Sequence, residues 1–222
     1  MPKKKKNRNL PVNPVFKIFC EGEKTEPLYI KGYINHFHSD KRNLILVEDT
    51  NKNTPVQLVD IAVKAKNEGN EKDVFWVVFD RESESKYSNK LHSKARKKAK
   101  DNNIELALSN VCFEYWILLH FVYTTGPYRS CDDLIKNSNL RKFIKELGIQ
   151  DYDKGLPLLF DKLKEKIPYA IQNAEKLKKQ ALDSSQPGKS APHFLNPYVD
   201  VHEMFQDIKN FIDKKPSLRS KT

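Results

Sequence analysis

Six consecutive apolar residues, VFWVVF at 74–79, constrain this chain more than any other feature. A strand that is apolar at every position, with no alternation, must be covered on both faces, and crossover helices supply such cover in a parallel sheet. Three further runs read as strands: VFKIFC at 15–20, bounded by Pro14 and Gly22, NLILV at 43–47 and IELAL at 104–108. Helical patterns lie between them. Leu28, Tyr29, Tyr33, Ile34 and Phe37 recur at helical spacing over 25–37, with Thr25 as the expected N-cap and Pro27 in the first turn. Thr54-Pro55 opens a second helix that Gly69 ends, and 86–102 reads as a basic, exposed third. Strand and helix in strict alternation predict an α/β fold: an open parallel sheet of about four strands with crossover helices.

After residue 123 the strand signals stop. Residues 113–123 read as a buried helix, 134–148 and 199–213 as further helices, and 156–182 as a long helix kinked at Pro168. The expected organisation is a flexible basic arm (1–13), an α/β core (14–125) and a helical C-terminal extension packed on that core (126–222).

The 40 Lys+Arg outnumber the 29 Asp+Glu, for a net charge of +11. Such an excess either draws the protein to polyanions, nucleic acid above all, or only keeps it in solution. No apolar run approaches the roughly 18–20 residues that cross a bilayer, and the basic N-terminus lacks the apolar stretch of a secretory signal. A soluble cytoplasmic protein is expected. Cys20, Cys112 and Cys131 show no C-x-x-C spacing, so neither a zinc site nor a disulfide is expected.

In an open α/β sheet, ligands bind at the carboxyl ends of the strands where strand order reverses, between strands one and three in the common 2-1-3-4 order. The residues at those ends are Glu21 and Asp80, and Glu82 lies two residues on, where an extended segment would point it the same way. Converging carboxylates repel unless a cation lies between them. Mg²⁺ or Mn²⁺ favours oxygen ligands, and its chemistry on a phosphodiester is to neutralise developing charge and activate the nucleophile. Each acid read singly is also a common helix cap or surface turn.

The block Glu21-Gly22-Glu23-Lys24-Thr25-Glu26, then VFWVVFD-R-E, then Asn110-Val111-Cys112-Phe113-Glu114-Tyr115-Trp116 through His120, resembles the RloB-like family. A weaker echo follows at Asn196-Pro197-Tyr198 through His202. That family is in turn similar to the Toprim domains of topoisomerases, primases and OLD-type nucleases. The resemblance implies a Toprim-like fold, with Glu21 as the glutamate after the first strand and Asp80 and Glu82 as the acidic pair after the third. It also implies a role in phage defence beside an ATPase subunit. Glu82 stands where the pattern has a second Asp.

The expected catalytic set is Glu21, Asp80, Glu82 and Glu114, the first three holding metal. Glu26 is either a further ligand or a carboxylate favoured by a helix N-terminus. His120 either supports the site or is a hydrogen-bonded core histidine. Lys24, Lys94, Lys97 and Lys98 are the expected nucleic-acid contacts, against the alternative of a solvated basic face. Two functions follow: a metal-dependent nuclease, or a noncatalytic nucleic-acid-binding or regulatory subunit of a defence complex. Either one could form a homo-oligomer.

Overall fold

A computed structural model of the chain describes residues 13–50 and 54–214. The expected basic arm, apart from Asn13, lies outside the described residues. Strands β1 (Phe16–Cys20), β2 (Ile45–Glu48), β3 (Val74–Asp80) and β4 (Glu105–Asn110) alternate with helices α1 (Thr25–Phe37), α2 (Pro55–Glu68) and α3 (Asn89–Asp101). The sheet order is β2-β1-β3-β4-β5, with the first four strands parallel. That is the expected α/β order, with one strand more: β5 (Tyr198–Val199) pairs antiparallel with β4, Asn110 opposite Tyr198. A two-residue strand carries no periodicity to read.

β3 shows why the apolar run was diagnostic. Phe75, Val77 and Phe79 face a layer built with Leu58, Val59 and Ala62 of α2 and Ala95 and Ala99 of α3. Trp76 and Val78 face the opposite layer, with α1 and every helix after β4. Local chemistry sets the helix starts. Thr54 Oγ1 accepts the Gln57 N–H at 3.3 Å with Pro55 just inside α2, and Ser88 Oγ accepts the Leu91 N–H at 3.3 Å at the start of α3. Thr25 is not a cap; it is the first helical residue of α1, and Lys24 holds the cap position.

The rest of the chain is more broken than expected. The helix after β4 is only α4 (Glu114–Leu119), and 134–148 divides into α5 (Cys131–Asn137) and α6 (Leu140–Glu146) at Ser138-Asn139. Pro168 does not kink a long helix. It sits in the first turn of α8 (Ile167–Asp183), after α7 (Leu159–Leu163) and a 3₁₀ turn, where a missing N–H costs nothing. α9 (Val201–Asp213) begins after β5 has taken Val199.

These later helices share one core with the sheet. Phe205 of α9 has its ring centroid 4.3 Å from Tyr33 of α1 and 5.9 Å from Trp116 of α4. Trp76 Nε1 of β3 donates to Asp207 Oδ2 at 3.0 Å, and Asp200 Oδ1 accepts the Leu108 N–H of β4 at 2.5 Å. Phe205→Ala should therefore destabilise the whole chain by about 3–5 kcal/mol, the usual cost of a buried Phe, in a single unfolding transition. A separate, unshifted transition for the sheet would show the extension to be an independent unit.

Candidate functional site

β1 and β3 are neighbours, with Cys20 opposite Val78, so their carboxyl ends deliver Glu21 and Asp80 side by side. The Glu21 N–H donates to Val78 O at 2.9 Å, and Glu21 Oε2 accepts the Asp80 N–H at 3.0 Å. Tyr87, from the loop ahead of α3, hydrogen-bonds the same Glu21 carboxylate. Thr50 Oγ1, which donates to Cys20 O at 2.6 Å, fixes the end of β1.

Gly22 makes room for a third carboxylate. A Cβ there would lie 2.3 Å from Glu26 Oε2, so a residue with any side chain would push Glu26 away from its place above the strand end. Glu26, in the first turn of α1, is buried in that place.

Glu82 reaches the pocket by another route than expected. The backbone does not continue extended after Asp80. Arg81 N–H donates to Ser109 O at 2.8 Å and Glu82 N–H to Val111 O at 2.9 Å, and Glu82 takes a left-handed φ of +55°. Its carboxylate pairs with Lys86 Nζ at 2.7 Å. Arg81 is buried elsewhere, its guanidinium donating to His193 O and Tyr87 O, each at 2.8 Å, and to Asn89 Oδ1 at 2.9 Å.

Glu114 opens α4 with its side chain only 1 % exposed. Its Oε1 accepts from the Tyr152 hydroxyl at 2.9 Å and lies 3.9 Å from Lys154 Nζ. Its Oε2 lies 3.0 Å from Cys131 Sγ. Cys131 is joined to Cys112 in a disulfide, Cα to Cα 5.6 Å, which overturns the expectation of unpaired cysteines. The pairing forms because the start of α5 folds back onto the start of α4, an approach that a spacing of 19 residues does not signal.

Glu21, Glu26, Asp80, Glu82 and Glu114 thus line one pocket of about 490 Å³, with Lys24, Lys86 and Lys154. Burial pushes the Asp80 carboxyl well above the carboxylate range, and the fields of Glu26, Glu21, Glu114 and Glu82 push it further. Burial raises Glu21 to about 7 against the pull of the Asp80 N–H and the Tyr87 hydroxyl. Burial likewise raises Glu26 to about 7, with the Glu114 field adding to it. Burial opposes the charge on Lys154, but the fields of Glu114, Asp80, Glu26 and Glu82 outweigh it and raise that pKa.

Among the described residues, no cationic nitrogen lies within 4.0 Å of Glu21, Glu26 or Asp80; Lys86 serves Glu82 and Lys154 serves Glu114. Buried carboxylates left unpaired are costly, and a hard divalent cation is the partner whose chemistry fits an all-oxygen donor set. Oxygens from three of these carboxylates do not come within 4.8 Å of one another. An ion here would take one or two directly and reach the rest through water, the habit of Mg²⁺. Cys112, Glu114 and Cys131 do meet that spacing, but the disulfide occupies both sulfurs.

Three expected nucleic-acid contacts lie elsewhere, and of the two readings of His120 the structure shows the core one. His120 is buried in the core, its Nδ1 2.9 Å from Trp116 O and its Nε2 2.7 Å from the Tyr29 hydroxyl, so both nitrogens are spent. Six residues is not a whole number of turns at about 3.6 per turn, so His120 leaves the Glu114 face. Lys94, Lys97 and Lys98 follow α3 away from the pocket toward the start of β4. At about 1.5 Å per residue, Lys97 and Lys98 lie roughly 12–14 Å beyond Asn89, paired with Asp101 and Asp60. The ammonium groups at the pocket are Lys24, Lys86 and Lys154 instead. Lys154 and Tyr152 come from an irregular loop that no sequence pattern marks.

The left-handed turn at Glu82 yields a test. A residue with a Cβ pays about 1–2 kcal/mol for that conformation and glycine does not. Glu82→Gly should therefore be more stable than Glu82→Ala by about 1 kcal/mol in urea denaturation; equal midpoints would show the turn to be unstrained.

No curated protein and no solved structure matches the chain. The family model described as RloB-like protein matches residues 16–208, which is most of its length. The chain belongs to the RloB-like family.

Proposed function

We propose that this protein is a divalent-metal-dependent nuclease that hydrolyses phosphodiester bonds of DNA or RNA. The observation that carries the reading is the set of three carboxylates, the buried Glu26 and Asp80 and the half-buried Glu21, with no cation beside them at the switch point of the sheet. Mg²⁺ or Mn²⁺, when bound, would neutralise charge on the phosphoryl oxygens and activate the attacking nucleophile. Glu21 and Asp80, at the ends of adjacent strands, would be the principal ligands. Glu26, Glu82 and Glu114 would hold the ion through a further carboxylate oxygen or through bound water. A carboxylate with a pKa near 7, as at Glu21 and Glu26, can take and return a proton at neutral pH. Lys24, Lys86 and Lys154 face the same pocket and suit the phosphate.

The family resemblance supports a cytoplasmic role in phage defence beside an ATPase subunit. A second reading, a noncatalytic nucleic-acid-binding or regulatory subunit, draws on one observation: the carboxylate oxygens are too spread for three to meet on one ion as they stand.

Two measurements test the proposal. The first is thermal. Glu21 and Glu26 have folded pKa values near 7 against about 4.5 when unperturbed. The contribution of these two acids to the stability of the metal-free protein should be greatest below pH 4.5 and be lost as pH rises through 7, since the folded state must then hold charged, desolvated acids. Glu21→Gln with Glu26→Gln should flatten that part of the profile. Mn²⁺ requires those acids ionised, so the rise in melting temperature it produces should be larger at pH 8 than at pH 6. No metal-induced shift at either pH would remove the metal site. The second is catalytic. Glu21→Gln and Asp80→Asn keep side-chain size, so folding and nucleic-acid binding should persist while metal-dependent cleavage falls by at least about a hundredfold, as when a principal charge stabiliser is lost. The assay includes the ATPase partner and both DNA and RNA. Wild type that cleaves nothing under those conditions, with variants that behave as wild type in phage resistance, would establish the noncatalytic reading.

A further inference from the structure

The acidic pocket has a neighbour of mixed character, in which cations and an aromatic ring join two carboxylates, Glu82 and Glu84. Glu82 also borders a second cleft of about 280 Å³ at the carboxyl end of β4, walled by Tyr128, Arg129, Lys189, Phe194 and Asn196. Lys189, Phe194 and Asn196 in turn border a groove of about 500 Å³ that continues along α8, past Gln180 and Ser184. The three depressions run end to end by shared residues, from acidic, through a cleft where Arg129, Lys189 and Phe194 share the walls with Glu82 and Glu84, to neutral polar.

The middle cleft is built, not incidental. Asn196 Nδ2 donates to Tyr128 O at 2.8 Å and so ties one wall to the other. Asn110 Nδ2 donates to Leu195 O at 2.6 Å, and Arg81 Nε to His193 O at 2.8 Å, which fixes the turn carrying Phe194. Phe194 is nevertheless 37 % exposed, one of few large apolar side chains so placed among the described residues. Arg129 and Lys189 are exposed and form no salt bridge among the described residues, whereas Lys86 and Lys154 of the acidic pocket have carboxylate partners.

Free cations beside an exposed aromatic face are the chemistry that takes single-stranded nucleic acid: phosphates meet the cations and a base stacks on the ring. A cleft at the small end of the roughly 300–1,000 Å³ range of ligand sites holds one nucleotide rather than a duplex. We propose that the cleft of Arg129, Lys189 and Phe194 holds the unpaired nucleotide next to the phosphate in the acidic pocket, so that the substrate is a single-stranded segment. The identity of that phosphate as the one cleaved rests on the nuclease reading; the strand-binding role of the cleft does not.

The test is binding without cleavage. Fluorescence anisotropy in EDTA with the full chain compares labelled oligodeoxyuridylate, oligouridylate and a duplex of equal length. The single strands should bind more tightly than the duplex, and whichever of the two binds better assigns the sugar. Arg129→Glu with Lys189→Glu should weaken single-strand binding at least about tenfold and flatten its salt dependence. Phe194→Ala should weaken it about tenfold with the salt slope unchanged, and Phe194→Trp should restore it, because stacking needs a ring and no charge. All three positions are exposed, and an unchanged melting temperature confirms the fold. Duplex bound as well as single strand, or affinity unmoved by these changes, overturns the proposal even if the enzyme cleaves. Affinity lost as expected in a protein that cleaves nothing upholds the cleft and overturns only the nuclease reading.

Discussion

The hydrogen bond from the Asp80 N–H to Glu21 Oε2 is the contact on which the rest of the site is hung. It exists because β1 and β3 are parallel neighbours, so the chain leaves both strands at the same edge of the sheet. One backbone donor is enough to orient the Glu21 carboxylate but not to neutralise it, and Asp80 receives no cation at all. Coulomb repulsion grows as water is removed, and here Glu26 and Glu114 close over the same pair. The arrangement is therefore frustrated by itself. Sites like this are kept for chemistry more often than for stability.

The sheet alone does not make the pocket. Glu114 is held by Tyr152, and Lys154 and Gly155 come from the same loop of the C-terminal extension. Gly155 takes a left-handed φ of +86°, and a Cβ there would meet Lys24 Cβ at 2.7 Å, so the loop lies directly on the Glu21–Glu26 segment. The extension that completes the hydrophobic layer on one face of the sheet thus also supplies one wall of the site. Fold stability and pocket geometry rest on the same packing.

What could be read from the sequence follows from range. Glu21 and Asp80 were legible because each ends a strand, and parallel topology converts that into proximity without long-range knowledge. The apolar run at 74–79 and the Thr54-Pro55 start of α2 are likewise local signals. Glu82 lines the expected pocket, but through a left-handed turn rather than an extended segment, since backbone donors at 81 and 82 are claimed by Ser109 and Val111. His120 takes the core role that its six-residue offset from Glu114 allowed, while the lysines of α3 misled because their charge was visible and the direction of the helix was not. Lys154, the Cys112–Cys131 pairing and β5 depend on how irregular segments return to the sheet, and no periodicity encodes that.

Charge distribution links the two ends of the argument. The chain carries +11 overall, yet its candidate site gathers six carboxylates against three ammonium groups. A positive field draws a polyanion in from a distance, but within a Debye length of about 8 Å the ionised acids of the pocket oppose a phosphate, the more so as pH rises through 7 and Glu21 and Glu26 lose their protons. On the proposed reading a divalent cation offsets most of the pocket's excess negative charge, so metal and strand each raise the other's affinity. That coupling is reciprocal by thermodynamic necessity. The free Arg129 and Lys189 lie outside the acidic pocket, where they can hold a strand before the cation arrives. On these proposals, long-range attraction, the cleft of Arg129 and Lys189 and a metal-loaded acidic pocket would form an ordered sequence in which binding can precede, and be separated from, reaction.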